Sequence, residues 1–209
     1  MRIGLFGGSF NPIHYGHIAL AEAAIRAGFV EKVWLMISPH NPLKKSSSLI
    51  DEGERLRLAR MALAQHSHDA QEHHLPTWSD AHAARHIEAC DFEFSLKRPT
   101  YTWKTLHALR LSFPQHTFSL IIGGDNWECF DRWRNWEDIL LTTPVIVYPR
   151  KGFPMAYRDG LPAPKLLDAP LFPFSSTDIR YALKAQSSDL QLAEMLPPCI
   201  IGECRKLYL

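Results

Sequence analysis

Cysteine is scarce in this chain. The four, Cys90, Cys129, Cys199 and Cys204, include no C-x-x-C pair. That argues against the dense disulfide framework of small secreted domains and makes reduced thiols in a cytoplasmic protein the expectation. Excess charge is missing too. A formal net charge of +1 gives no bulk electrostatic reason to expect a nucleic-acid polymer or a membrane surface as partner, although a local basic site for a small anion is compatible with it. No apolar run approaches the length of a membrane span. Met1-Arg2 passes straight into a short apolar stretch and then glycines, so no signal peptide is expected. Neither the dinucleotide fingerprint G-x-G-x-x-G nor a Walker loop ending in G-K-S/T occurs at the first glycines.

What is present is enough apolar material for a sizeable core, 46% of 209 residues. "RIGLF" (Arg2 to Phe6) reads as a buried strand. Ile18, Ala21, Ala24 and Ile25 recur at helical spacing between about Gly16 and Ala27, with Gly28 as the stop, and "KVWLMIS" (Lys32 to Ser38) is a second buried strand. After a Pro- and Ser-rich loop, Asp51 to Gln65 is amphipathic with acidic residues at its front end. Residues 66–90 are polar, histidine-rich and carry no assignment. Strands are expected at Phe92–Leu96, Thr117–Gly123 and Pro144–Pro149, and helices at Thr102–Phe113 and Asn135–Thr142. Pro149 to Pro173 reads as loop with one short strand. Helices follow at Ser175–Gln186 and Asp189–Leu196, and Pro197-Pro198 opens a last one. This alternation predicts an α/β, Rossmann-like, doubly wound parallel sheet. It forms one domain over residues 1–209, with a small helical part from about 175.

In such sheets ligands bind beyond the carboxyl ends of the strands, which is where "GGSFNPIHYGH" (Gly7 to His17) falls. Gly7 and Gly8 permit a sharp turn and close approach to a ligand. His14 and His17, three residues apart on the first turn of a helix, can address one phosphate beside the helix's free N–H groups, and a bound anion would favour their charged form. The plain alternative is a structural turn followed by a helix with surface histidines.

"GSFNPIHYGH" resembles the G-x-F-(D/N)-P-x-H-x-G-H signature of the nucleotidylyltransferase superfamily, with Ser9 and Asn11 where Thr and Asp are commoner. "FSSTDIR" (Phe174 to Arg180) resembles the second superfamily signature, I-S-S-T-x-I-R. "PTYTWKTL", "IIGGDNW", "DRWRNWEDIL" and the final "KLYL" resemble segments of the nicotinate-mononucleotide adenylyltransferases, and the likeness runs along nearly the whole chain. It implies transfer of AMP from ATP, with Mg²⁺, to nicotinate mononucleotide, giving the dinucleotide precursor of NAD and pyrophosphate. The nucleophile is already an anionic phosphate oxygen. The chemistry therefore needs alignment and charge neutralisation rather than a general base.

By the same resemblance His14, His17 and Arg180 are catalytic, His17 foremost. Gly7, Gly8, Ser9, Phe10, Lys44, Gly123, Asp125, Ser175, Ser176 and Thr177 bind ATP, with Ser176 and Thr177 supplying N-cap oxygens. Asn41, Tyr101, Thr102 and Trp133 bind the mononucleotide, Trp133 by stacking on the pyridine and Tyr101–Thr102 through N–H groups at a helix start. Asp125 accepts from ribose hydroxyls, or caps the next short helix. No resident metal site is expected. Nicotinamide mononucleotide and phosphopantetheine are the rival acceptors. Outside catalysis, a nucleotide sensor, or a metal module built from His66, His68, His73, His74, His82, His86 and Cys90, are the alternatives.

Overall fold

The computed structural model describes residues 1–39, 49–72, 74–150 and 159–209. The elements run β1 (Arg2–Gly8), α1 (Tyr15–Arg26), β2 (Lys32–Ile37), α2 (Glu52–Gln71), α3 (Ala81–Ala84), β3 (Ile87–Cys90), α4 (Thr102–Ser112), β4 (Thr117–Gly123), α5 (Gly124–Glu128), α6 (Trp136–Thr142), β5 (Val145–Tyr148), β6 (Lys165–Leu166), α7 (Ser176–Lys184), α8 (Asp189–Ala193) and α9 (Pro198–Tyr208). All strand pairings are parallel, in the order β3-β2-β1-β4-β5-β6. The Rossmann-like, doubly wound sheet expected from the sequence is the observed fold.

A parallel sheet needs cover on both faces, and the strands supply apolar residues to each in strict alternation. Ile3 and Leu5 of β1, Met36 of β2, Phe118, Leu120 and Ile122 of β4, and Val145 and Val147 of β5 join one core with α4, α5 and α6. Phe6, Val33, Leu35, Ile37, Ile121, Ile146 and Tyr148 point the other way, into a core with α1, α2 and the helices after residue 175. The strand order reverses at β1/β4, which opens a crevice beyond the carboxyl ends of the strands.

Three stretches differ from the sequence expectation. Phe92–Leu96 is not a strand: Phe92–Ser95 forms a 3-10 turn. At roughly 120° per residue, positions i and i+2 diverge, so Phe92 packs on one core and Phe94 on the other while Glu93 turns inward. Residues 66–72 and 74–90 hold real structure. α2 runs on to Gln71, and α3 and β3 follow. They are ordered around Glu22, wholly buried in α1, whose carboxylate lies 2.7 Å from His66 Nε2 and accepts from Ser79 Oγ at 2.6 Å and Asp80 N at 3.1 Å. A buried carboxylate is tolerable only with such partners. Third, a short helix, α5, directly follows β4. Its N-cap is Gly123, so Asp125 sits inside the helix and does not cap it.

Candidate active site

The loop between β1 and α1 is held from behind by side chains remote in sequence. The Ser9 carbonyl accepts from Arg55 Nη1 at 2.6 Å, the Asn11 carbonyl from Arg180 Nη1 at 2.7 Å and the Pro12 carbonyl from Ser176 Oγ at 2.9 Å. Each negative backbone end is thus taken up by protein and does not face an incoming anion. Arg55, in α2, is fully buried, and its other bonds also go to carbonyls, Ile50 at 3.0 Å and Pro39 at 3.2 Å. The Asn11 side chain accepts from Tyr208 Oη at 2.7 Å, which ties α9 to the same loop. Burial pushes the Tyr208 phenol far above its usual range, so it stays a donor. Phe10 adopts a left-handed backbone (φ 45), rare for a bulky residue, and is buried against the ring of His17 at 4.9 Å, edge-on.

The two histidines stack, ring centroids 3.6 Å apart. Gly16 makes this arrangement feasible, because a Cβ there would lie 3.1 Å from the His14 ring. The His14 backbone N–H donates to His17 Nδ1 at 3.3 Å. A backbone N–H can only donate, so Nδ1 of His17 is unprotonated and a neutral ring carries its proton on Nε2. His14 is the more buried of the pair, and its Nδ1 has no hydrogen-bond partner among the described residues. Burial, then the charge of Arg150, push its pKa down to about 3, with Asp178 opposing. Without a bound anion His14 is therefore neutral, not the cation that a phosphate partner would favour.

The second signature starts α7. Its N-cap is Ser175, in a reciprocal box with Asp178, so Ser176 and Thr177 are not the capping residues. The Ser176 hydroxyl goes to Pro12, and Thr177 Oγ1 accepts from Arg180 Nη2 at 3.1 Å. On the far side, Asp125 pairs with Arg150 at 3.2 Å, and Arg150 also donates to Tyr148 Oη at 3.2 Å. A Cβ at Gly123 would run into the Asp125 carboxylate and come within 3.0 Å of the Tyr148 ring, so a larger residue there would displace the Asp125 side chain.

The two histidines, Asp125, Arg150 and the start of α7 line one cleft of about 1030 Å³. It brings together Gly7, Gly8, Ser9, Phe10, His14, His17, Gly123, Asp125, Ser175, Ser176, Thr177 and Arg180, and at its other end Tyr101, Thr102 and Trp133. Asn41 and Lys44 lie outside the described residues, as does His73. Trp133 tilts against Phe130 at 5.1 Å, and Arg134 sits 5.5 Å over the Tyr101 ring. Arg132, Arg134, Arg150 and Glu93 also line the cleft and were not picked out from sequence. Nothing in their spacing marks them. The charge balance of the lining favours anions.

Several of the histidines in this segment are engaged within the protein. His66 is spent on Glu22, His82 and His86 rings pack 4.4 Å apart, and among the described residues no three His, Cys, Asp or Glu side chains converge on one point. Among the same residues, no helix is long and apolar enough to cross a membrane.

Residues 5–182 match the cytidylyltransferase-like family model. The chain is 40% identical over 184 residues to a probable nicotinate-nucleotide adenylyltransferase of Bacteroides thetaiotaomicron, covering 88% of this chain and 82% of that one. A protein of the same description from Flavobacterium johnsoniae is 36% identical over 200 residues, 95% and 93% of the two chains. The chain belongs to the nicotinate-nucleotide adenylyltransferases. Among solved structures, the nicotinic acid mononucleotide adenylyltransferase of Plasmodium falciparum complexed with NaAD superposes with a TM-score of 0.73 at 19% identity, covering 99% of this chain and 97% of that one. A putative nicotinate-nucleotide adenylyltransferase from Vibrio parahaemolyticus gives 0.65, also at 19% identity and with 97% of each chain covered. At that identity the structural likeness speaks for the fold.

Proposed function

We infer that this chain transfers AMP from ATP to nicotinate mononucleotide, releasing pyrophosphate. A phosphate oxygen of the mononucleotide attacks the α-phosphorus in line, and the bond to the β-phosphate bridging oxygen breaks. The observation that carries this reading is the joining of the two signatures, Arg180 and Ser176 of the second bonded to the carbonyls of Asn11 and Pro12 in the first.

In this reading the loop Gly7–Phe10 and the start of α1 receive the triphosphate. His17 Nε2–H donates to a non-bridging oxygen of the α-phosphate, where charge grows in the transition state. Neutral His14 orients His17 by stacking and takes up a proton as the anion arrives. Ser175, Ser176, Thr177 and Arg180 hold the leaving pyrophosphate, joined by Lys44. Asp125, beside Gly123, binds ribose hydroxyls, and Arg150 is its electrostatic counterweight. Trp133 stacks on the pyridine, the N–H groups at Tyr101 and Thr102 receive its carboxylate, and Asn41 adds a contact. Mg²⁺ enters with ATP as substrate, held by phosphate oxygens and water. That fits a cleft in which Asp125 is paired with Arg150.

The test is pyrophosphate release from MgATP with nicotinate mononucleotide, nicotinamide mononucleotide and phosphopantetheine in parallel. Turnover with the first, well above the others, is expected. Turnover confined to phosphopantetheine would overturn the assignment of the acceptor.

A further inference from the structure

We propose that Glu93 is a positioning residue that sets the preference for the pyridine carboxylate over the carboxamide, by fixing the start of α4. The proposal rests on the acceptor assignment above. Glu93 is 8% exposed and lines the acceptor end of the cleft. Its carboxylate accepts from Thr105 Oγ1 at 2.7 Å and from Thr100 Oγ1 at 3.4 Å, and it is also bonded by the Ser38 hydroxyl at the end of β2. Thr100 and Thr105 bracket the residues that would meet the ring substituent. Thr105 in turn donates its backbone N–H to the Tyr101 carbonyl at 3.1 Å. One buried carboxylate thus ties the first turn of α4 to the carboxyl end of β2.

The chemistry of discrimination makes that tie matter. A carboxylate and a carboxamide have nearly the same shape. Two adjacent backbone N–H groups can both be satisfied by a carboxylate, whereas the amide offers one acceptor and turns an N–H donor toward a donor. A site built for paired hydrogen bonds rejects the analogue that leaves one unmade, but only while the donors are held in place. Burial pushes the Glu93 carboxyl above its usual range, against the pull of the three hydroxyls, and a second anion nearby would push it further. A neutral acceptor at this position can therefore do the same work.

The experiment compares wild type, Glu93→Ala and Glu93→Gln. For each it determines kcat and KM on nicotinate and nicotinamide mononucleotides, KM for ATP and the thermal midpoint. In Glu93→Ala the acid's KM rises by about tenfold or more, with a smaller change in kcat, while ATP and the amide are little affected, so the acid-to-amide ratio falls. Glu93→Gln restores the ratio, because its amide oxygen accepts from Thr105. If Glu93→Ala does not fold, Thr105→Val removes only the hydroxyl that Glu93 holds and is expected to lower the ratio in the same way. An unchanged ratio in a folded Ala or Val variant overturns the proposal. So do parallel losses for acid, amide and ATP, or a Gln variant no better than Ala. Wild-type protein that turns over neither mononucleotide would overturn the acceptor assignment itself. Wild-type turnover without preference for the acid would overturn only the role given to Glu93.

Discussion

Arg55→Met is the sharpest probe of how the phosphate loop is held. The guanidinium is buried and bonded to three backbone carbonyls, those of Ser9, Ile50 and Pro39. Each bond from a charged donor is worth about 1.5–3 kcal/mol when lost. Removing the charge also returns its desolvation cost of several kcal/mol, and methionine refills most of the aliphatic volume. The balance is a net loss of roughly 2–4 kcal/mol. For a chain of this size that lowers the melting midpoint by about 4–16 °C. Because the Ser9 carbonyl loses its anchor, the KM for ATP should rise more than that for the mononucleotide. Thermal unfolding and steady-state kinetics with each substrate varied in turn measure both effects. A Met variant that melts within about 2 °C of wild type, with the same KM for ATP, would refute the reasoning.

Further predictions concern the cleft itself. His17→Ala should keep the fold and lose on the order of 10²–10³ in kcat, as when one transition-state donor is removed; near-normal turnover in a folded variant would remove it from the mechanism. His14 has a folded pKa near 3 against an ordinary value of 6.5, so below pH 6.5 the unfolded chain binds a proton that the folded one refuses. Its contribution makes stability fall as pH drops from 6.5 toward 3, and His14→Asn should flatten that slope in a pH series of melting midpoints; an unaltered slope contradicts the buried neutral ring. Trp133→Ala should raise the KM for the mononucleotide and leave that for ATP nearly unchanged, and an effect confined to ATP would displace Trp133 from the acceptor end.

The central strands β1, β2, β4 and β5 were legible because a buried parallel sheet requires uninterrupted apolar runs such as "KVWLMIS" and "TFSLIIG", whereas the short edge strand β3, Ile87–Cys90, offers no such run. Both signatures were legible for a different reason: their glycines, histidines and hydroxyls sit in short contiguous words. What escaped was anything that depends on a partner far along the chain. Arg55 reads as one more charged residue of an amphipathic helix, and only the fold carries the Ser9 carbonyl to it. Glu22 is an isolated acid in the apolar α1, explained only when His66 and Ser79 arrive beside it. Glu93 sits in an alternating "FEFSL" that mimics a strand, because periodicity two cannot be told from a 3-10 turn over so few residues. Helix caps were misread by one position at Ser176 and by two at Asp125, which is the ordinary uncertainty at element ends.

The hydrogen bond from Tyr208 to Asn11 spans 197 positions of sequence. During synthesis the loop that receives the triphosphate leaves the ribosome long before the residue that braces it. At about 5–20 residues per second, the wait is roughly 10–40 s. Through that interval Asn11 and its neighbours lack the α9 side of their support, and Arg180 and Ser176 reach them only late. The cradle is therefore completed only once α9 has been made, and replacing Tyr208 by Phe would leave both signatures intact without the hydroxyl that braces the first.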